Sequence, residues 1–402
     1  MKHRAAALER DAVTVAGYAT LATFGWFIYT LGPTVPLLRA EQETSRTLAS
    51  MHNVAFAAGV VITGLAAVRI LQRTQRNGGI RLGMLLLAAG SVTLVVGSLP
   101  DGGAIPVTLG AAFIAGVGGA LAVNAATAVL SERHGESGAA AVTEGNAVAS
   151  TLGLLAPLAV GAATALAVTW RGAALLLVPL AAITWIVTGR GGDAPAFAPT
   201  APRTGDDAAG MLPTAYWLLW FALIACVMVE AGFVTWTPDL LRDRVGLGAG
   251  AAAATTSAFL AGMAVGRFTV ARLALRFATL PLFAGCLLLA AAGWALMWAA
   301  PVPLVAVLGL VLAGLGAAGH FPLGSMLLIN ASDGEPDRAL GWMAVGLGGA
   351  SGAGPFALGS LADLAGIFLA FIVIPVCLLV ALSGAGLAAR VDVLARSAAR
   401  GE

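Results

Sequence analysis

The feature that most constrains this chain is a succession of apolar runs, each long enough to cross a bilayer, separated by short charged or glycine- and proline-rich breaks. A spanning helix needs about 20 mostly apolar residues. Runs that meet this begin near Val13, Leu48, Leu82, Ile105, Gly138 and Gly172, then near Thr214, Ala249, Thr279, Val302, Gly341 and Ile367. Twelve spans with their loops, at about 33 residues each, consume all 402 residues. Only 10% of the residues are charged, against about a quarter in a soluble domain, which excludes a water-soluble enzyme or nucleic-acid binder. Twenty-two Lys and Arg against 20 Asp and Glu give a formal charge of +2, too balanced to attract a polyanion. The expected class is an all-α membrane protein whose partner is lipid.

The first run follows Lys2, Arg4 and Arg10 as a signal peptide would, but it extends past 20 residues with no small-residue cleavage site and reads as a retained helix. From Arg190 to Pro213 the chain carries Asp193, Pro195, Pro199, Pro202, Asp206 and Asp207 and too little apolar surface to pack. This predicts a bundle over 1–188, a cytoplasmic linker over 189–213 and a second bundle over 214–402. Most basic residues fall on one side of the predicted spans, including Arg69, Arg73, Arg76, Arg81, Arg133, Arg190, Arg272, Arg276 and Arg338. The excess of Lys and Arg in cytoplasmic loops therefore puts both termini inside, and the preference for Ala, Gly and Arg suggests a bacterial inner membrane. Cys226, Cys286 and Cys377 lie apart inside apolar runs, without disulfide or metal spacing, and read as packing residues.

The chain also repeats itself. Sliding by 198 positions sets Gly64 on Gly262, Arg69 on Arg267, Ala115-Gly116-Val117-Gly118 on Ala313-Gly314-Leu315-Gly316, and Pro157 and Gly161 on Pro355 and Gly359. Two parallel six-helix repeats follow, with a substrate site expected near the bilayer midplane. Gly314-x-Gly316-x-x-Gly319 matches a dinucleotide fingerprint but stands inside an apolar helix with no strand before it, so helix packing explains it. No Walker sequence, HExxH or nucleophile elbow occurs; neither a cofactor nor a metal is expected.

Glu230 stands out inside this charge-poor pattern. A carboxylate at mid-helix costs about 2.5–3.5 kcal/mol on insertion scales, so it marks a wet cavity and a proton-exchanging role. Glu144, about two turns into its helix, and His320, which titrates near neutrality, are the other proton-coupling candidates. Asn124, Trp26, Tyr29, Trp236 and Trp342 supply amide and aromatic surfaces for a polar organic ligand, beside Glu230 and His320.

On the six-plus-six plan, the linker and the inner ends of the second and eighth helices, the chain resembles the major facilitator superfamily over essentially its whole length. Members carry there a glycine, small residues, an acid and then basic residues. This chain has Gly64-Leu65-Ala66-Ala67-Val68-Arg69 and Gly262-Met263-Ala264-Val265-Gly266-Arg267, with Val68 and Gly266 at the acidic position. The resemblance makes Arg69 and Arg267 gate candidates, with snorkelling to headgroups as the alternative. The second half is similar to the fucose, galactose and glucose proton-symporter branch in Val229-Glu230-Ala231-Gly232-Phe233-Val234-Thr235-Trp236, in Gly314, Gly316, Phe321 and Pro322, and in the ending Gly359-Ser360-Leu361-Ala362-Asp363. The first half departs, since that branch places acids where Tyr29-Thr30-Leu31-Gly32-Pro33 and Ala120-Leu121-Ala122-Val123-Asn124 stand here. The resemblance implies a monomeric secondary transporter that couples a small polar solute to protons by alternating access. Export of amphipathic compounds by proton exchange is the alternative, although Gly153-Leu154-Leu155-Ala156-Pro157 lacks the antiporter glycine before proline.

Overall fold

The computed structural model describes residues 10–99, 104–166, 168–190 and 211–400, and among these residues every regular element is helical. The helices are α1 (Ala12–Glu41), α2 (Arg46–Gly97), α3 (Ile105–His134), α4 (Gly138–Ala165), α5 (Thr169–Leu175), α6 (Leu177–Arg190) and α7 (Thr214–Val245). They continue as α8 (Ala249–Leu273), α9 (Thr279–Trp298), α10 (Pro303–Ala317), α11 (His320–Asn330), α12 (Pro336–Ala365), α13 (Ile367–Ala370) and α14 (Val373–Arg400). Of the linker expected over 189–213, residues 191–210 lie outside the described residues.

Among the described residues eleven segments are long and apolar enough to cross a membrane. They include two limbs of α2, Arg46–Ala66 and Arg69–Gly97, and the paired stretches Thr169–Arg190 and Pro303–Asn330. The run expected from Gly341 is helical as part of α12 but is not among the eleven. Gly341, Gly346, Gly348, Gly349, Gly352 and Gly354 dilute its apolar character. Against the twelve spans expected, eleven are found among the described residues, and the run from Gly341 forms a glycine-rich helix that falls short.

Local chemistry sets the ends and bends. Asp11 caps α1 by accepting the Thr14 amide at 2.9 Å and the Thr14 hydroxyl at 2.7 Å, satisfying a donor the helix leaves orphaned. Its second oxygen accepts Arg133 Nε at 2.8 Å. Burial pushes this carboxyl up, but the bonds from Thr14 and Arg133 outweigh burial and hold it at about 2, below the ordinary 3.8. The α2 helix bends at Gln75, where φ is 59° and ψ 177°. The break between α10 and α11 falls at Ala318 and Gly319. Pro322 has no N–H to offer the Ala318 carbonyl, which is the donor a continuous helix would need there.

The chain forms two compact units, Met1–Thr44 with Met51–Pro202, and Ser45–Ser50 with Arg203–Glu402. Inside each, glycines bring helix backbones together. In the first, Gly59 of α2 lies against the Phe113 carbonyl and Val117 nitrogen of α3, and Gly116 against the Phe56 carbonyl. In the second, Gly262 of α8 lies against the Val311 carbonyl and Leu315 nitrogen of α10, and Gly314 against the Phe259 carbonyl. A β-carbon at any of these would collide with backbone, which is why small residues mark such seams.

These contacts correct the register read from a single sliding offset. Gly59 and Gly262 are 203 positions apart, whereas Gly116 and Gly314 are 198 apart. From Gly262 to Gly314 the chain is five residues shorter than from Gly59 to Gly116, and one global offset cannot follow such a change. Gly64, set on Gly262 by the 198-residue shift, has open space where its β-carbon would be. At 203 positions Arg69 corresponds to Arg272 and not to Arg267.

Candidate functional site

Glu230 lies halfway along α7, half-buried inside the span Thr214–Val245. One turn earlier, the buried Cys226 thiol is within electrostatic reach of Glu230, Cys286 and Cys377. The three cysteines, which the sequence leaves as unconnected packing residues, therefore share the interior of the second unit. Gly232 packs against Ile374 and Leu358, and Phe233 stacks on Phe259 with ring centroids 4.9 Å apart. This packing fixes the helix face that carries the carboxylate.

His320 opens α11 directly after the break and is 4% exposed. The Cys286 backbone lies within hydrogen-bonding reach of its ring. The preceding residue, Gly319, seats against the Cys286 sulfur, so Glu230 and His320 both neighbour the thiol-bearing core of this unit. Among the described residues no group of three His, Cys, Asp or Glu has the geometry to hold a metal ion.

The other sequence candidates fall elsewhere. Trp236 is fully buried and donates its indole N–H to the Pro355 carbonyl at 2.9 Å. Trp342 is exposed, packs edge-on to Trp217 at 5.6 Å, and accepts the Trp220 indole N–H on its carbonyl at 2.8 Å. Trp220 precedes Glu230 by ten residues, about 15 Å of helix. In the first unit, Trp26 is buried and donates its indole N–H to the Ala173 carbonyl at 3.1 Å. The Tyr29 ring is half-buried against Gly153 of α4, and Asn124 is exposed on α3. Glu144 accepts Arg10 through both oxygens, at 2.6 and 3.2 Å. Arg69 and Arg267 are both exposed.

Sequence reasoning missed a second cluster, also in the second unit, formed on the first turn of α2. Arg46 Nε donates to Asp239 at 2.8 Å, and its NH2 group lies 3.4 Å from Asp243. The Asp239 side chain is 3% exposed. Asp363, at the end of α12, accepts the backbone amides of Arg46 and Thr47 at 2.9 and 2.8 Å and the Thr47 hydroxyl at 2.7 Å. It thereby caps a helix more than 300 residues away in sequence. Ser50 and Trp236 both donate to the Pro355 carbonyl, at 2.9 Å each. The available signal was the pair of acids, Asp239 and Asp363, near the ends of apolar runs, where a partner is required.

A family model described as Major Facilitator Superfamily matches residues 16–256 and 219–400. Among solved structures, a D-xylose–proton symporter is 16% identical with a TM-score of 0.73, the alignment covering 93% of this chain and 96% of that one. A bacterial homologue of the human lysosomal transporter Spinster, in an inward-facing and occupied conformation, is 16% identical with a TM-score of 0.69, covering 94% and 96%. The fucose:proton symporter of E. coli is 18% identical with a TM-score of 0.60, covering 93% and 99%. At such identities the likeness is one of fold. No curated protein sequence matches this chain.

Proposed function

Because the chain belongs to the major facilitator superfamily, whose members are transporters and not enzymes, and is a multi-pass membrane protein, we propose that it is a proton-coupled symporter of a small polar organic solute, with a sugar as the first candidate. It works by alternating access in a bacterial inner membrane, with both termini cytoplasmic. The observation that carries this reading is Glu230, a carboxylate halfway along an apolar span. Charge at that depth is costly and protonation removes the cost. The carboxyl therefore takes a proton on one side, crosses its cycle neutral with the solute bound, and releases the proton on the other.

In this reading His320 offers the solute a hydroxyl-bonding nitrogen, supported by its place at the break in the apolar span Pro303–Asn330, while Asn124 and Tyr29 supply polar and aromatic recognition in the first unit. The indole N–H groups of Trp26 and Trp236 are already committed to carbonyls, so both are assigned packing, and Trp342 joins the Trp217 and Trp220 cluster. Glu144 is assigned an ion pair with Arg10. Release of Ser45–Ser50 from Asp239, Asp243 and Asp363 is assigned to the transport cycle.

The test is proton entry into proteoliposomes loaded with pyranine. Xylose, fucose, galactose or glucose is expected to acidify the lumen, and Glu230→Gln to abolish that signal. Silence with every sugar would sink sugar symport. Alkalinisation of a preacidified lumen by a lipophilic cation would instead establish export of amphipathic compounds.

A further inference from the structure

On the side of the first unit where α1 begins and α6 ends, three arginines are matched by acids. Arg10 meets Glu144 at 2.6 Å, Arg133 meets Asp11 at 2.7 Å, and Arg76 pairs with Glu132. Arg81, which follows the α2 bend at Gln75, is held differently. Among the described residues no ion pair involves it, and its Nε is enclosed without a hydrogen-bond partner. Arg190, the last residue of α6, is exposed and likewise outside every ion pair among the described residues.

The Arg81 side chain is nevertheless fixed in place by α6. Its guanidinium carbon lies 4.7 Å from the centre of the Trp185 ring, a cation–π contact. One turn on, Gly189 admits the guanidinium against its own backbone, and a β-carbon there would overlap the Arg81 terminal nitrogen. Nε is shut in while the residue as a whole is partly exposed, so the terminal N–H groups are what this seam presents. They form a planar fork suited to two oxygens of one anion. Snorkelling into water would place no such demand on the neighbouring helix.

The surface beside the fork is apolar. Leu85, one turn from Arg81, is 62% exposed, and Trp185 and Ile186 are 46% and 45% exposed. A soluble anion gains nothing from that surface, whereas a glycerophospholipid carries a phosphate and acyl chains together. We infer that Arg81, seated on Trp185 and Gly189 and aided by Arg190, binds the headgroup phosphate of an anionic phospholipid whose chains run over Leu85 and Ile186. With the orientation proposed above, the site faces the cytoplasmic leaflet, whose anionic headgroups attract basic residues.

The test is native mass spectrometry of the purified full chain, offered phosphatidylglycerol and phosphatidylcholine of the same acyl chains in equal amounts. Phosphatidylglycerol is expected to be retained preferentially, since a choline ammonium would meet two cations that lack acids. Arg81→Gln is expected to weaken its retention by about five- to tenfold, and Arg272→Gln, which removes an exposed cation of the second unit, to leave it unchanged. Gly189→Ala keeps every charge but evicts the guanidinium, and is expected to act like Arg81→Gln. Equal retention of the two lipids by the unaltered protein, or equal losses in Arg81→Gln and Arg272→Gln, would reduce the effect to diffuse attraction and overturn the site. So would full retention in Gly189→Ala, or a lowered Tm in Arg81→Gln with retention intact, which would leave Arg81 a purely structural role. Displacement of the lipid by inorganic phosphate at equal concentration would replace it with a soluble anion. None of these readouts requires transport, so their failure and the failure of sugar symport are distinguishable.

Discussion

In the first unit the carboxylates of Asp11, Glu41, Glu132 and Glu144 end on Arg133, Arg171, Arg76 and Arg10, toward helix ends or, for Arg76, beside the α2 bend at Gln75. In the second, Glu230 sits halfway along α7 and His320 lies buried beside the break between α10 and α11. The two units share the glycine seams that bring their helices together, Gly59 and Gly116 in one and Gly262 and Gly314 in the other. What differs is where titratable groups are tolerated. The seams are a packing requirement and leave the polar chemistry unconstrained, so the second unit can carry a carboxylate and an imidazole inside its spans in addition to ion-paired acids at its helix ends.

The strongest way to break this contrast is to neutralise one acid from each unit. Glu230→Gln is expected to reduce sugar-driven acidification in proteoliposomes to the protein-free background; if instead Glu144→Gln did so while Glu230→Gln transported normally, the assignment would be reversed. Next comes Arg46→Ala, which takes the guanidinium away from the buried Asp239 carboxylate. Removing one partner of a buried pair costs about 3–5 kcal/mol, to be read as a lowered midpoint in chemical or thermal unfolding.

The glycine register gives a smaller and two-signed prediction. Gly262→Ala forces a methyl into the Val311 carbonyl and should destabilise by about 1–3 kcal/mol. Gly64→Ala enters open space and should stabilise by about 0.5–1 kcal/mol through helix propensity. Equal effects at the two positions, measured as unfolding midpoints, would restore the 198-residue pairing.

Asp11 gives a pH window. Its carboxyl titrates near 3.8 when unfolded and at about 2 when folded. Its contribution to stability is therefore complete above 3.8 and is lost as the pH falls through about 2. Unfolding midpoints of the protein and of Asp11→Asn should accordingly converge over that interval. The smallest effect is expected for Glu144→Gln, because the pair with Arg10 is largely solvent-exposed, with side chains 34% and 63% accessible; its unfolding midpoint and the pH profile of transport should match those of the unaltered protein.

Several of these residues could be read from the sequence and several could not. Glu230 was legible because one acid in an apolar run violates a composition rule that any window of residues reveals. The long spans were legible for the same reason, and α12 fell short because glycine lengthens a helix without adding apolar surface. Arg46, Asp239 and Asp363 look like three ordinary charges near span ends, and nothing within about 20 residues of any of them names the others as partners. The Gly59 pairing was hidden by a change in chain length between the paired glycines.

The sequence by itself determined the solvent, the approximate limits of the apolar helices, and the position of Glu230 halfway along one of them, because each depends on the transfer free energy of a contiguous segment. Only the tertiary structure decided that Ser45–Ser50 belong with Asp239 and Asp363 and that the three cysteines share one core. Those outcomes depend on which side chains meet across helices, where one residue of register rotates a helical side chain by about 100° and so selects a different neighbour.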